Sequence, residues 1–135
     1  IHSGAHFYSD CGAFVVESGI DPNRVDEAIP VILKELGKMR DGVTEAEWTQ
    51  ALQLTKGRMM LRMEESRAVS SFLGIQELIR GEVQSVDEVI ANISSVTQED
   101  IKRAANRVIK SENLVLAIVG PFDDPDHFEA MLNLD

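Results

Sequence analysis

The feature that most constrains the fold is the order of local signals in the first half of the chain. Residues 12–20, GAFVVESGI, have a strand-like sequence and run directly into Asp21 and Pro22. Asp21 can accept hydrogen bonds from free N–H groups at a helix start, and Pro22 suits a first helical turn. An apolar stripe at helical spacing follows, and Thr44-Glu-Ala-Glu47 then forms a capping box. The pattern predicts one strand followed by two helices.

The rest of the chain adds strands at both ends and helices between them. Residues 1–8 and 13–20 predict two strands joined by turn residues at Ser9–Gly12. Further helices follow, one of them opened by a second capping-box sequence, and the apolar run Leu114–Val119 predicts a closing strand. We therefore expect an α+β fold, with an antiparallel sheet of about three strands packed with several helices, in a single domain over residues 1–135.

Charge and hydropathy exclude two kinds of partner. The net charge is −10, and a nucleic-acid surface needs a basic face to displace counterions from phosphates. The longest apolar run, Leu114–Val119, is far shorter than the roughly 20 residues that span a bilayer. Neither nucleic acid nor membrane is expected as a partner. Cys11 is the single cysteine, which excludes an internal disulfide and favours a reducing, cytoplasmic location.

Side chains with catalytic potential do not form a complete motif. Neither H-x-x-E-H nor H-E-x-x-H occurs in the sequence. His2 and His6 are four residues apart, but on a strand this separation spans about 13 Å, too far for one metal ion. Cys11 follows the carboxylate of Asp10, which disfavours a reactive thiolate. We therefore predict no catalytic residue, no metal ligand and no cofactor within this chain.

One basic stretch stands out in an acidic chain. Lys56, Arg58, Arg62 and Arg67 are interleaved with methionines and accompanied by two glutamates. The functional interpretation is a face that meets a partner domain or an anionic substrate terminus. The alternative is a half-buried helix whose methionines pack in the core and whose arginines pair with nearby acids.

Taken in order, these segments resemble the pitrilysin/insulinase-type zinc metallopeptidase family. The similarity covers nearly the whole chain, and its strength lies in the order of motifs that are individually short. The segments that carry it are Ser18–Pro22, Ile32–Leu36, Asp41–Trp48, Leu54–Gly57, Glu65–Arg67, Gln76–Leu78, Gly81, Ser85–Val89, Val96–Asp100 and Leu114–Pro121.

The resemblance implies that this chain is the second half of an α/β module built around a mostly antiparallel sheet. Members of the family pair an N-terminal module, in which H-x-x-E-H binds zinc, with a zinc-free C-terminal module that closes the substrate chamber. The chain is then expected to be part of the non-catalytic module of a zinc-dependent metalloendopeptidase. Its implied partners are the N-terminal catalytic module and a peptide or unfolded polypeptide, and Tyr8 and Arg67 are candidate substrate-binding residues.

Two alternatives stay open at this point. The parent protein could be a degenerate, non-catalytic relative that serves as a partner subunit or scaffold, or the chain could be an acidic α+β interaction domain unrelated to proteolysis. On the first two interpretations the chain by itself is expected to lack peptidase activity. It is also expected to self-associate, for example as a homodimer, because half a module leaves sheet edges and apolar helix faces uncovered.

Overall fold

The computed structural model describes residues 1–8 and 10–134, so the predicted turn at Ser9–Gly12 includes one residue, Ser9, outside the described part. Contacts divide the chain into two compact units. The first unit comprises Ile1–Gly42 and Ile101–Asp135, and the second comprises Val43–Asp100. The single domain over residues 1–135 stays a prediction, and each unit is described by itself.

The first unit begins with an antiparallel hairpin, as predicted. Strand β1 covers His2–Phe7 and strand β2 covers Gly12–Glu17. The register places His2 opposite Glu17 and Phe7 opposite Gly12. Most of the hairpin side chains are exposed, so the two strands contribute little to the core of the unit.

The chain enters its first long helix through the predicted cap. The Asp21 carboxylate accepts a hydrogen bond from the Asn23 N–H at 2.9 Å, and a 3-10 turn over Pro22–Arg24 leads into helix α1, Val25–Asp41. The helix ends at Gly42, whose φ of 111° lies where side chains other than glycine are strained.

One buried stripe of α1 organises the core of the first unit. Val25, Ile29 and Leu33 recur at helical spacing and are all buried. The side chains packed against them come from Ile20, which precedes the turn into α1, and from the C-terminal segment, which includes the short helix α6, Pro125–Glu129. They are Ile20, Leu114, Ile118, Phe122, Phe128, Met131, Leu132 and Leu134.

The second unit consists of helices with well-defined starts. Helix α2 covers Glu45–Arg62, α3 covers Ser66–Arg80 and α4 covers Val86–Ser95. Helix α5, Gln98–Val108, begins in this unit and continues into the first. Both predicted capping boxes, Thr44 with Glu47 and Ser85 with Glu88, are formed reciprocally. α2 and α4 pack together, and the Trp48 Nε1–H donates to the Val96 carbonyl at 3.0 Å.

The prediction of a third strand over Leu114–Val119 is wrong, because these residues do not form a strand in the structure. The sheet of the described residues contains only β1 and β2, and no ladder joins residues 114–119 to either. The segment still has a packed face and an exposed face, because Leu114 and Ile118 pack on α1 while Val115 and Val119 are exposed. A strand requires a hydrogen-bonding neighbour, which apolar sequence alone does not provide. The predicted α+β class is confirmed, and the fold is mainly helical with a two-stranded sheet.

Candidate functional site

Tyr8, the first candidate substrate-binding residue, lies directly after β1 and is 65% exposed. Its backbone N–H donates to the Cys11 carbonyl at 2.9 Å, which fixes the backbone at the hairpin end. Phe7 beside it and Phe14 on β2 are also exposed. The hairpin therefore presents aromatic rings, one of them with a hydroxyl group, on the surface of the first unit.

Arg67, the second candidate, lies in the first turn of α3 and is exposed. None of the ion pairs of the described residues involves Arg67, Arg58, Arg62 or Lys56. The local pairing that the alternative interpretation of the basic stretch required is thus not formed in this part of the chain. Tyr8 and Arg67 belong to different units, so each is a candidate by itself.

Potential metal ligands are dispersed. His2 and His6 are both exposed on β1, where they lie opposite Glu17 and Ala13, and Cys11 is exposed between the two strands of the hairpin. Among the described residues, no group of three or more His, Cys, Asp or Glu side chains could hold a metal ion. A catalytic zinc ion takes three protein ligands, so these donors do not fit the zinc that the family resemblance implies for the catalytic module.

A shallow groove at the junction of the hairpin and α1 was not predicted from the sequence. Ile20 and Val31 supply apolar surface in it, and charged side chains of both signs flank them. Its lining residues are Gly19, Ile20, Asp21, Arg24, Glu27, Ala28 and Val31. The sequence did indicate the Asp21-Pro22 turn, which brings residues 19–21 beside α1. The groove itself depends on side-chain packing, which the sequence pattern does not encode.

Electrostatic coupling in the first unit centres on His127 of α6. Its Nε2 lies 2.9 Å from Asp26 Oδ1 of α1. The hydrogen bond to the Asp26 side chain raises the pKa of His127, and the negative charges of Asp26 and Asp124 act in the same direction. Because the imidazole and Asp26 are both substantially exposed, this pair joins two helices and does not form a catalytic dyad.

The second unit contains one shifted carboxyl group. Hydrogen bonds from the backbone and side chain of Ser85 lower the pKa of Glu88, because they stabilise the carboxylate form. This shift arises from the capping box at the start of α4 and has a structural origin.

None of the helices in the described part of the chain combines the length and apolar character needed to cross a membrane.

Comparison with known proteins connects these features to a family. Residues 1–55 match the family described as "Peptidase M16 inactive domain". An uncharacterized zinc protease of Streptomyces coelicolor is 32% identical over 92% of this chain and 27% of its own length. A probable mitochondrial-processing peptidase subunit beta of Arabidopsis thaliana is 28% identical over 89% of this chain and 23% of its own length.

A third relative, an uncharacterized zinc protease of Bacillus subtilis, is 27% identical over 90% of this chain and 30% of its own length. The chain thus spans about a quarter of the length of these relatives. The matched region includes the hairpin, α1 and the capping box of α2. The chain belongs to the pitrilysin/insulinase-type (M16) metallopeptidase family and represents part of its inactive, C-terminal module.

Proposed function

We propose that this chain is the C-terminal, non-zinc-binding portion of a zinc-dependent metalloendopeptidase, in which it closes the substrate chamber and positions the peptide. The observation that carries the proposal is the uncovered hairpin in the segment that matches the inactive domain. Phe7, the last residue of β1, is 86% exposed and Tyr8 after it is 65% exposed, and the sheet has two strands in the described part of the chain.

An isolated two-stranded hairpin is marginally stable in water, and exposed aromatic rings are typical of surfaces that contact another polypeptide. Tyr8 offers both an apolar ring and a hydroxyl group, so it suits contact with a peptide main chain. Such a contact would add affinity and orientation to a reaction whose chemistry takes place in another module.

The zinc ion is assigned to the N-terminal module of the parent protein. The names of the Streptomyces and Bacillus relatives describe zinc proteases, which supports a zinc-dependent parent. The N-terminal catalytic module and a peptide or unfolded polypeptide are the proposed partners, with a homodimer as a further assembly. A cytoplasmic location is proposed from the single, unpaired Cys11.

The experiment is to express the complete reading frame that encodes this chain and measure cleavage of a quenched fluorescent peptide. We expect Tyr8→Ala and Arg67→Ala each to raise KM several-fold while kcat falls less, because they remove substrate contacts and leave the zinc chemistry intact. Arg80→Ala, which removes an exposed arginine from the same helix as Arg67, and Leu78→Ala, which removes an exposed apolar side chain outside the hairpin, are the controls. Variants that behave like these controls would contradict the assigned roles of Tyr8 and Arg67.

The second candidate function is that of a partner subunit or scaffold in which the parent protein itself is not catalytic. The Arabidopsis relative, named as a subunit of the mitochondrial-processing peptidase, favours keeping this candidate. The same expression experiment separates the two functions. An H-x-x-E-H motif and peptidase activity in the complete protein support the first, and a similar module without those ligands or activity supports the second.

A further inference from the structure

The connection between α1 and α2 contains a backbone conformation that residues other than glycine avoid. Gly42 has φ 111° and ψ −178°, in a region occupied almost exclusively by glycine. Gly81 also has a positive φ, but its φ of 69° and ψ of 8° belong to the ordinary left-handed region that ends many helices. Conformations of the Gly42 kind persist only where neighbouring contacts hold them. Gly42 therefore points to contacts that fix the backbone around it.

Helix α5 supplies hydrogen bonds on both sides of this glycine. The Asn106 Nδ2–H donates to the Arg40 carbonyl at 2.7 Å, two residues before Gly42. The Gln98 Nε2–H donates to the Val43 carbonyl at 2.9 Å, one residue after it. The Arg40 carbonyl belongs to the last turn of α1, where carbonyls have no partner within the helix. Asn106 therefore caps the end of α1 from 66 positions further along the chain.

The residues of α5 that make these contacts share one face of the helix. Gln98, Lys102 and Asn106 are spaced at successive intervals of four, which places them one above another. The Asn106 Nδ2–H also donates to the Lys102 carbonyl at 2.9 Å, which orients the amide. A Cβ added to Gly42 would lie 3.8 Å from the Lys102 Cδ. The contacts at residues 102 and 106 lie within the first unit, and the contact at residue 98 lies within the second.

We propose that Gln98, Lys102 and Asn106 form a conformational lock that keeps Gly42 in its glycine-only conformation. The rival explanation is that the end of α1 and the capping box of α2 set this conformation by themselves. The lock consists of hydrogen bonds to partly solvated groups, and one such bond changes an equilibrium constant about two- to tenfold. The connection can therefore open locally while the buried stripe of α1 stays folded.

A double-mutant cycle in urea unfolding of the 135-residue chain tests the lock. Gly42→Ala should raise the unfolding constant about fivefold or more, because alanine is strained at this φ. In the Asn106→Leu background the effect of Gly42→Ala should be at least about threefold smaller, because the released connection can relax. Asn92→Leu is the matched control, since Asn92 is an exposed asparagine of α4 whose side chain makes no hydrogen bond in the described part of the chain. In that background the effect of Gly42→Ala should be unchanged.

Amide hydrogen exchange gives a second test that needs no substitution at Gly42. The Gly42 N–H donates to the Met39 carbonyl at 3.3 Å, so its exchange rate reports opening of the connection. This rate should be nearly independent of low urea concentrations, whereas the rate for the Ile29 amide should rise with urea as global unfolding does. Asn106→Leu and Gln98→Leu should each accelerate exchange at Gly42 about two- to tenfold, and the asparagine control should not.

Equal effects of Gly42→Ala with and without the Asn106 amide would overturn the proposal, because the helix ends alone would then set the conformation. So would an exchange rate at Gly42 that neither lock variant changes, or one that rises with urea as the Ile29 rate does. If Gly42→Ala prevents folding, the exchange measurement decides alone. The lock does not depend on the peptidase activity of the parent protein, so either proposal can fail alone.

Discussion

His127 Nε2 of α6 lies 2.9 Å from Asp26 Oδ1 of α1, and this contact joins residues 101 positions apart in the sequence. The next residue, Phe128, packs on the α1 core and meets Phe122 edge-to-face at 5.2 Å between ring centroids. The polar pair thus lies beside the apolar contacts that hold the C-terminal segment on α1.

This pair predicts a pH-dependent stability. The folded-state pKa of His127 is raised above its ordinary value of 6.5, so its stabilisation is fully present below pH 6.5 and is lost as the pH rises through the raised pKa. His127→Gln should therefore lower Tm in mildly acidic buffer and have a smaller effect in alkaline buffer.

Thermal unfolding followed by circular dichroism at both pH values measures this difference. His2→Gln is the matched control, since the His2 imidazole is exposed on β1 and makes no hydrogen bond or ion pair in the described part of the chain. An equal shift in Tm at both pH values would contradict the account.

Removing the capping box at the start of α2 should lower the stability of the fold. Thr44 accepts from the Glu47 N–H, and the Glu47 carboxylate accepts from the Thr44 N–H and hydroxyl. Thr44→Ala should lower the free energy of unfolding by about 1 kcal/mol in urea titrations. Thr49→Ala, on the exposed side of the same helix, is the control and should cost nothing. Equal losses would show that the cap does not stabilise the fold.

Substituting alanine at two different glycines should change the free energy of unfolding in opposite directions. Gly81 ends α3 with φ 69°, so Gly81→Ala should destabilise the chain by about 1 kcal/mol. Gly57 lies inside α2, and an added Cβ there would meet no atom within 4 Å. Gly57→Ala should stabilise the chain by about 0.5–1 kcal/mol. Urea unfolding of both variants checks the contrast, and a shared sign would contradict it.

Replacing Gln76 should lower the free energy of unfolding by more than the previous substitutions, because Gln76 is a buried polar side chain of α3. Its Oε1 accepts from the Gln84 N–H at 3.1 Å, and its Nε2 donates to the Gln84 carbonyl at 3.3 Å. Gln76→Leu would leave this part-buried backbone without partners, at a cost of about 1–3 kcal/mol. The control for the change in urea midpoint is Gln50→Leu on the exposed side of α2. Equal midpoints for the two variants would disprove the role of Gln76.

Local features of the fold were predictable because a few neighbouring residues determine them. The caps at Asp21, Thr44 and Ser85 all depend on short-range hydrogen bonds, and all are formed.

Features that depend on distant neighbours were less predictable. The prediction of a third strand over Leu114–Val119 was wrong, because a strand needs a hydrogen-bonded neighbour and the sequence of the segment does not specify one. The apolar Ile79 of α3 is 74% exposed, and its position in the sequence does not indicate which element would cover that end of the helix. Tyr8 and Arg67 were selected by family resemblance, and their roles stay predictions.

The most direct measurement is the zinc content and peptidase activity of the purified 135-residue chain. We expect substoichiometric zinc and no peptide cleavage, because we propose that the catalytic ligands lie in another module of the parent protein. One zinc ion per chain, together with peptide cleavage that His2→Ala or His6→Ala abolishes, would contradict it.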